Sequence, residues 1–250
     1  MGYGPRPSDR YWEGVAQGTL SSLRRGVVAA ALASGVVLCG LDLTAAQGRG
    51  RIEGTVRLTV ARGARAAVPV YGKRSAGAPV VRSAPEMVNV VVHLLGVPAT
   101  EPPRPVKATI TQVNEEFVPH VVAVPVGSTV EFPNDDPFFH NVFSLSGAAS
   151  FDLGRYPPGE SRSRRFAKPG VVKVYCQIHS HMSAVIRVFD HPWFAIPGDA
   201  GQFALEDVPA GERTIVAWHE RVGEQRLTVT VVPGHTAKAA FTLPVLEPEP

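Results

Sequence analysis

The stretch Val171-Val172-Lys173-Val174-Tyr175-Cys176-Gln177-Ile178-His179-Ser180-His181-Met182-Ser183-Ala184-Val185-Ile186-Arg187-Val188-Phe189 reads as strand, short loop, strand. Side chains alternate across a strand, so Val172, Val174 and Cys176 share one face, opposite Lys173 and Tyr175. Cys176 therefore ends the first strand pointing into an apolar interior. A thiol there is inert, with a raised pKa, unless a metal stabilises the thiolate. The loop after it adds imidazole and thioether groups in the spacing Cys176-x2-His179-x2-Met182. Taken singly, a buried cysteine, a histidine and a methionine are ordinary core residues. Together in one connection they point to a metal, because three donors assemble there at little cost in chain freedom. His181 would share a strand face with His179, so on spacing alone either imidazole can serve.

A further donor stands upstream, in Asn134-Asp135-Asp136-Pro137-Phe138-Phe139-His140-Asn141-Val142. Pro133, Pro137 and the two phenylalanines make the approach to His140 stiff and apolar, which suits a preorganised ligand. Asn141 is placed to hydrogen-bond across to the cysteine-bearing loop and so join the two ligand segments. One thiolate, two imidazoles and a weak thioether are the donor set of a blue-copper electron-transfer site. Soft sulfur donors favour copper over zinc or iron. The expected cofactor is one copper ion, Cu(I)/Cu(II), and the expected metal residues are His140, Cys176 and Met182 with one of His179 and His181.

The cysteine count supports this. Of two cysteines in 250 residues, Cys39 falls in an N-terminal segment that reads as an export signal. Arg24-Arg25 precede the apolar run 26–40, and Thr44-Ala45-Ala46 supplies the small residues of a cleavage site, so residues 1–46 are expected to be removed. The alternatives are a paired-arginine export route or an uncleaved membrane anchor, although the run is shorter than the roughly 20 residues of a spanning helix. Leu38 argues against lipid attachment at Cys39. The mature chain then keeps one thiol, with no partner for an intrachain disulfide. The expected location is the periplasm or another exported compartment, without a membrane span in the mature form.

Charge excludes one class of partner. Lys and Arg number 25 against 22 Asp and Glu, and a balance so close to neutral is no nucleic-acid footprint. The local run Arg155, Arg162, Arg164, Arg165 and Lys168 is either a docking patch for an acidic redox partner or a solvated loop face. His93, His120, His191, His219 and His235 show no metal spacing and read as structural.

The rest of the chain is written in short strands broken by glycine and proline, which predicts an all-β protein. Strands are expected at 51–60 and 88–95, separated by a Gly-, Ala-, Pro- and Arg-rich loop at 63–85, with a proline hinge at 101–105. Further strands are expected at 106–113, 121–124, 129–132, 142–144, 161–166, 171–176 and 184–189, as in a sandwich or barrel. Beyond 190 come strands near 200–205, 208–218, 225–232 and 237–243, and the tail 247–250 is expected to fray.

At Gly127-Ser128-Thr129-Val130-Glu131-Phe132, then His140-Asn141-Val142, then Cys176-x2-His179-x2-Met182, the chain resembles the cupredoxins, especially the plastocyanin- and amicyanin-like members. The resemblance covers residues 106–190. It implies a Greek-key β-sandwich and His179 rather than His181 as ligand. It also implies one-electron shuttling outside the cytoplasm, with a redox partner such as a cytochrome or dehydrogenase. Residues 191–245 resemble the later part of a smaller transthyretin-type, carboxypeptidase regulatory-like β-sandwich, and residues 51–96 its beginning. The expectation is that the cupredoxin unit is inserted into that sandwich. The rival functions are copper storage, delivery or sensing without electron transfer, and an enzyme. An oxidase or nitrite reductase needs further His-rich copper centres, and a binuclear centre needs a second cysteine, so no enzyme is expected.

Overall fold

The structure, a computed structural model, describes residues 48–61, 86–98 and 103–246. The expected export signal, the 63–85 loop and the 247–250 tail lie outside the described residues, as do residues 101–102 of the expected hinge. Among the described residues no helix is long and apolar enough to cross a membrane.

The described chain opens with β1 (Arg49–Ala61), a 3-10 turn at Glu86–Asn89, and β2 (Val90–Leu95). Ten strands follow: β3 (Lys107–Thr109), β4 (Thr111–Val113), β5 (Glu116–Val118), β6 (Val121–Pro125), β7 (Thr129–Pro133), β8 (His140–Ser146), β9 (Ala149–Tyr156), β10 (Ser161–Arg165), β11 (Gly170–Tyr175) and β12 (Ser183–Phe189). The last five are β13 (Phe194–Ala195), β14 (Gln202–Pro209), β15 (Gly211–His219), β16 (Gly223–Val231) and β17 (Thr236–Leu246).

The middle strands make a sandwich. One sheet runs β6-β12-β11-β8-β9 and the other β10-β7-β3. Between them Phe132, Val142, Phe166, Val174, Ile186 and their neighbours form one buried cluster that includes Cys176 and Met182. The expected 106–113 strand is in fact two. The chain breaks at Ile110, whose side chain is fully buried, so that β3 pairs with β7 while β4 turns away to pair with β5. Strand β9 was not expected, because its serine, aspartate, glycine and arginine are poor strand formers. It exists through its pairing with β8, where context overrides propensity.

The remaining strands enclose a second core between sheets β14-β1-β17 and β13-β2-β15-β16. Ile52, Val56, Val92, Leu94, Phe203 and Ile215 lie in it. Strand β1 is antiparallel to β14 and parallel to β17, and β2 lies between β13 and β15. Gly54 sits where β1 meets both neighbours. A Cβ there would stand 2.3 Å from the Ala239 carbonyl oxygen and 2.5 Å from the Phe203 ring, so no side chain fits.

The two cores touch through the outer face of β12. Ala184, Ile186 and Val188 point into the first core, while Val185 and Phe189 meet Val91, Phe194 and Trp218 on the other side. Arg187 is buried on that same face. Its guanidinium lies 4.6 Å from the Trp218 ring centre and 5.5 Å from that of Phe189, and donates to His93 Nε2 at 3.3 Å. His93 in turn donates from Nδ1 to the Leu94 carbonyl at 3.0 Å, so the imidazole is neutral. Burial, with the nearby Arg187 charge, holds its pKa down at about 4.

Two outcomes follow for stability. Gly54→Ala is expected to destabilise the protein by about 1–3 kcal/mol through overpacking, read as a lowered Tm by circular dichroism. For His93, an unfolded histidine titrates near pH 6.5. Between there and about 4 the unfolded chain takes up a proton that folded His93 refuses, so stability falls as pH falls through that window. His93→Gln keeps an acceptor for Arg187 and is expected to reduce the loss between pH 7 and 4.5 by about 2 kcal/mol, measured by urea unfolding at both pH values.

Candidate metal centre

Strand β11 is held on both sides, by β12 and by β8, with Tyr175 opposite Ser183 and Phe143 respectively. That clamp sets the alternation. Val172 and Val174 are fully buried, Lys173 and Tyr175 are exposed, and Cys176 follows inward at 4% exposure. The loop beyond is closed by its own backbone: Cys176 N–H donates to the Met182 carbonyl at 3.3 Å, and Met182 N–H to the His179 carbonyl at 3.0 Å. Met182 is buried in the same cluster as Cys176.

Because β8 neighbours β11, its first residue arrives beside the cysteine. His140 is fully buried, with Nδ1 3.8 Å from Cys176 Sγ. His179 Nδ1 lies 3.9 Å from the same sulfur and 3.1 Å from His140 Nδ1. Donors bound to one ion at about 2.0–2.3 Å stand roughly 3–4 Å apart, so this arrangement fits a single metal. Among the described residues these three form the one group of this kind. His181 is not in it: it is exposed, and its Nε2 faces the Glu115 carboxylate at 3.3 Å.

Asn141 is buried and makes the expected cross-link. Its Oδ1 accepts the Gln177 N–H at 2.7 Å, and its Nδ2 donates to Asp152 at 3.0 Å. Sequence reasoning missed two residues that build the approach to His140. Asn134, fully buried, accepts the Asp136 N–H and donates to the Phe138 carbonyl, which folds 134–138 into a bend. Asp136, 4% exposed, then sets Oδ2 at 2.8 Å from His140 Nε2. Burial alone would raise the Asp136 pKa. The N–H groups of Glu115, His140 and Asn114 outweigh it and hold the carboxyl below its usual value. The sequence signal was present in the run Asn134-Asp135-Asp136-Pro137, a pattern that favours side-chain-capped turns.

Around the site, the Phe138 ring packs against His140 at 5.2 Å and His179 at 5.5 Å between centres. Phe138, in ring contact with half-buried His179, is exposed, as are Ile178 next to it in the chain and Phe139. Much of the basic run has structural contacts: Arg162 lies over Tyr156, Arg164 over Phe151, and Arg165 donates to the Gly127 carbonyl. On the far side of the loop, His120 Nδ1 donates to the Ser183 carbonyl at 2.9 Å, and its Nε2 pairs with Glu220 at 2.7 Å. That bond raises the His120 pKa and lowers that of Glu220.

A β-sandwich that brings one histidine at the start of β8 beside a cysteine and a second histidine in the loop after β11 defines a cupredoxin-like copper protein. Comparison with known proteins agrees. Plastocyanins of Ulva arasakii and Ulva pertusa are each 33% identical over 73 residues, covering 26% of this chain and 74% of theirs. The chain belongs to the plastocyanin-type cupredoxins. No family model matches it. Among solved structures, a copper-containing nitrite reductase from Thermus scotoductus SA-01 is 33% identical with a TM-score of 0.33, over 39% of this chain and 25% of that one. A purple cupredoxin from Nitrosopumilus maritimus is 26% identical with a TM-score of 0.30, over 33% and 99% respectively. A mutant of amicyanin, in its Cu(I) form, is 20% identical with a TM-score of 0.32, over 33% and 82%.

Asn141→Ala leaves the Gln177 N–H without its acceptor and is expected to cost about 1–3 kcal/mol. Thermal melts of the metal-free protein read that loss, and faster surrender of copper to a chelator reads the loosened loop.

Proposed function

We propose that this protein is an exported carrier of single electrons, in which His140, Cys176 and His179 would hold one copper ion and Met182 would add a weak thioether donor. When bound, copper supplies the change between Cu(I) and Cu(II) that accepts and releases the electron. The protein keeps its donors nearly fixed through that change. The observation that carries this reading is the convergence of two imidazole Nδ1 atoms and one thiol within 3.1–3.9 Å. The donors come from β8 and from a loop closed by hydrogen bonds at both ends, and such preorganisation suits a site whose ligands stay in place. A buried thiolate that water cannot reach also favours exchange of electrons over exchange of metal.

His179, half-buried and in contact with the exposed Phe138 ring, is the proposed exit for the electron. The apolar rim would meet a redox partner such as a cytochrome or dehydrogenase. The paired flanks, residues 49–95 and 194–246, are proposed to form a regulatory-like sandwich that presents the copper unit inserted between them. Their shared core supports this assignment.

The test is direct. Cu(II) added to the purified metal-free protein is expected to produce an intense visible thiolate-to-copper band, abolished in Cys176→Ser and His140→Ala. A colourless complex, or a band that survives Cys176→Ser, overturns the reading. A reversible one-electron potential separates a carrier from a store, which would instead release its copper to an acceptor.

A further inference from the structure

We propose that Asp136 is a positioning residue of the copper centre that fixes the tautomer of His140 and lowers the reduction potential through its charge. This rests on the reading of His140 as a ligand.

The geometry begins with what a carboxylate can do. An ionised aspartate only accepts hydrogen bonds. With Oδ2 at 2.8 Å from His140 Nε2, an imidazole that carries one proton donates it from Nε2, which leaves a bare lone pair on Nδ1. Nδ1 is the atom that faces Cys176 Sγ and His179 Nδ1. In the metal-free protein His179 therefore donates across the 3.1 Å gap. Asp136 thus prepares the ligand before any ion arrives, as outer partners of metal-bound histidines do elsewhere.

The surroundings are built to keep that carboxylate in place. Its oxygens also accept the backbone N–H groups of Asn114 at 2.6 Å and Glu115 at 2.9 Å. Those two residues have φ of 56° and 58°, left-handed backbone that side chains disfavour. A two-residue hairpin turn takes that shape readily, and here the β4–β5 turn presents both of its N–H groups to Asp136. Among the described residues no lysine or arginine forms an ion pair with Asp136, whose side-chain partner is the His140 ring. Dipoles hold the charge without cancelling it. A full negative charge, separated from the ion by one imidazole in a buried site, stabilises Cu(II) more than Cu(I). A neutral acceptor would orient His140 equally well and exert no such bias.

The test separates orientation from charge. Asp136→Asn keeps an acceptor and removes the charge. The visible band should remain, while affinity for Cu(II) falls about tenfold more than that for Cu(I), a rise of about 59 mV in midpoint potential. Asp136→Ala removes both effects and should also let His140 change tautomer. In the metal-free wild type, 1H–15N spectra of the His140 ring are expected to show Nε2 protonated and Nδ1 bare, a readout that needs neither copper nor a variant that folds. An Nδ1-protonated ring, or an unchanged potential in a well-folded Asp136→Asn, overturns the inference while the blue band leaves the electron-carrier reading standing. Absence of the band in the wild type, or its survival in His140→Ala, overturns both.

Discussion

The site depends on holding three electron-rich donors together, two of them buried and the third half-buried at the surface. A sulfur and two ring nitrogens within 4 Å of one another gain nothing from proximity until an ion arrives. The fold must supply the restraint in advance. It does so with the clamped strand β11, whose neighbours on either side decide where Cys176 points, and with Asn141, which ties the start of β8 to the loop after the cysteine. The bend made by Asn134 and the carboxylate of Asp136 complete the frame on the His140 side. In the proposed electron carrier, cost and function are linked: each restraint on the empty centre would lower the reorganisation needed when its charge changes.

The second core reaches this frame through two routes. Buried Arg187, packed between aromatic rings and bonded to a neutral His93, joins the outer face of β12 to β2 and β15. Glu220, on the turn after β15, grips His120, which in turn holds the carbonyl of Ser183, the residue next to Met182. The exit of the metal loop is therefore braced by a residue a hundred positions from its histidine partner. The linkage is polar and partly exposed, whereas the Arg187 contact is buried, so the two routes respond to different solution conditions.

Much of the centre was legible because its information is local. Cys176, His179 and Met182 sit in one loop, and alternation along 171–176 sets the inward direction of the thiol without reference to the rest of the chain. The choice between His179 and His181 was not legible from spacing, since both fit a strand face. The structure separates them: His179 Nδ1 stands beside Cys176 and His140, while His181 is exposed and faces Glu115 of a different hairpin. Asp136 stands close to His140 in the chain, yet a carboxylate four residues away in a loop has no periodic meaning. Only the bend built by Asn134 brings the two together. Strand β9 was illegible for a related reason, since Asp152 and Gly154 interrupt its apolar residues and pairing with β8 supplies the cause. The break at Ile110 likewise belongs to packing, because one buried side chain marks where the chain leaves one sheet for another.

The parallel ladder of β1 against β17, running from Arg51 beside Thr236 to Ala61 beside Leu246, has a mechanical consequence. Tension applied to the chain before β1 and after β17 pulls these strands lengthwise past one another, so their hydrogen bonds carry the load together rather than opening one at a time. The copper sandwich lies off that load path, between two strands of the other core. A tethered or crowded molecule would thus stretch its flanks before it disturbed the spacing of its donors.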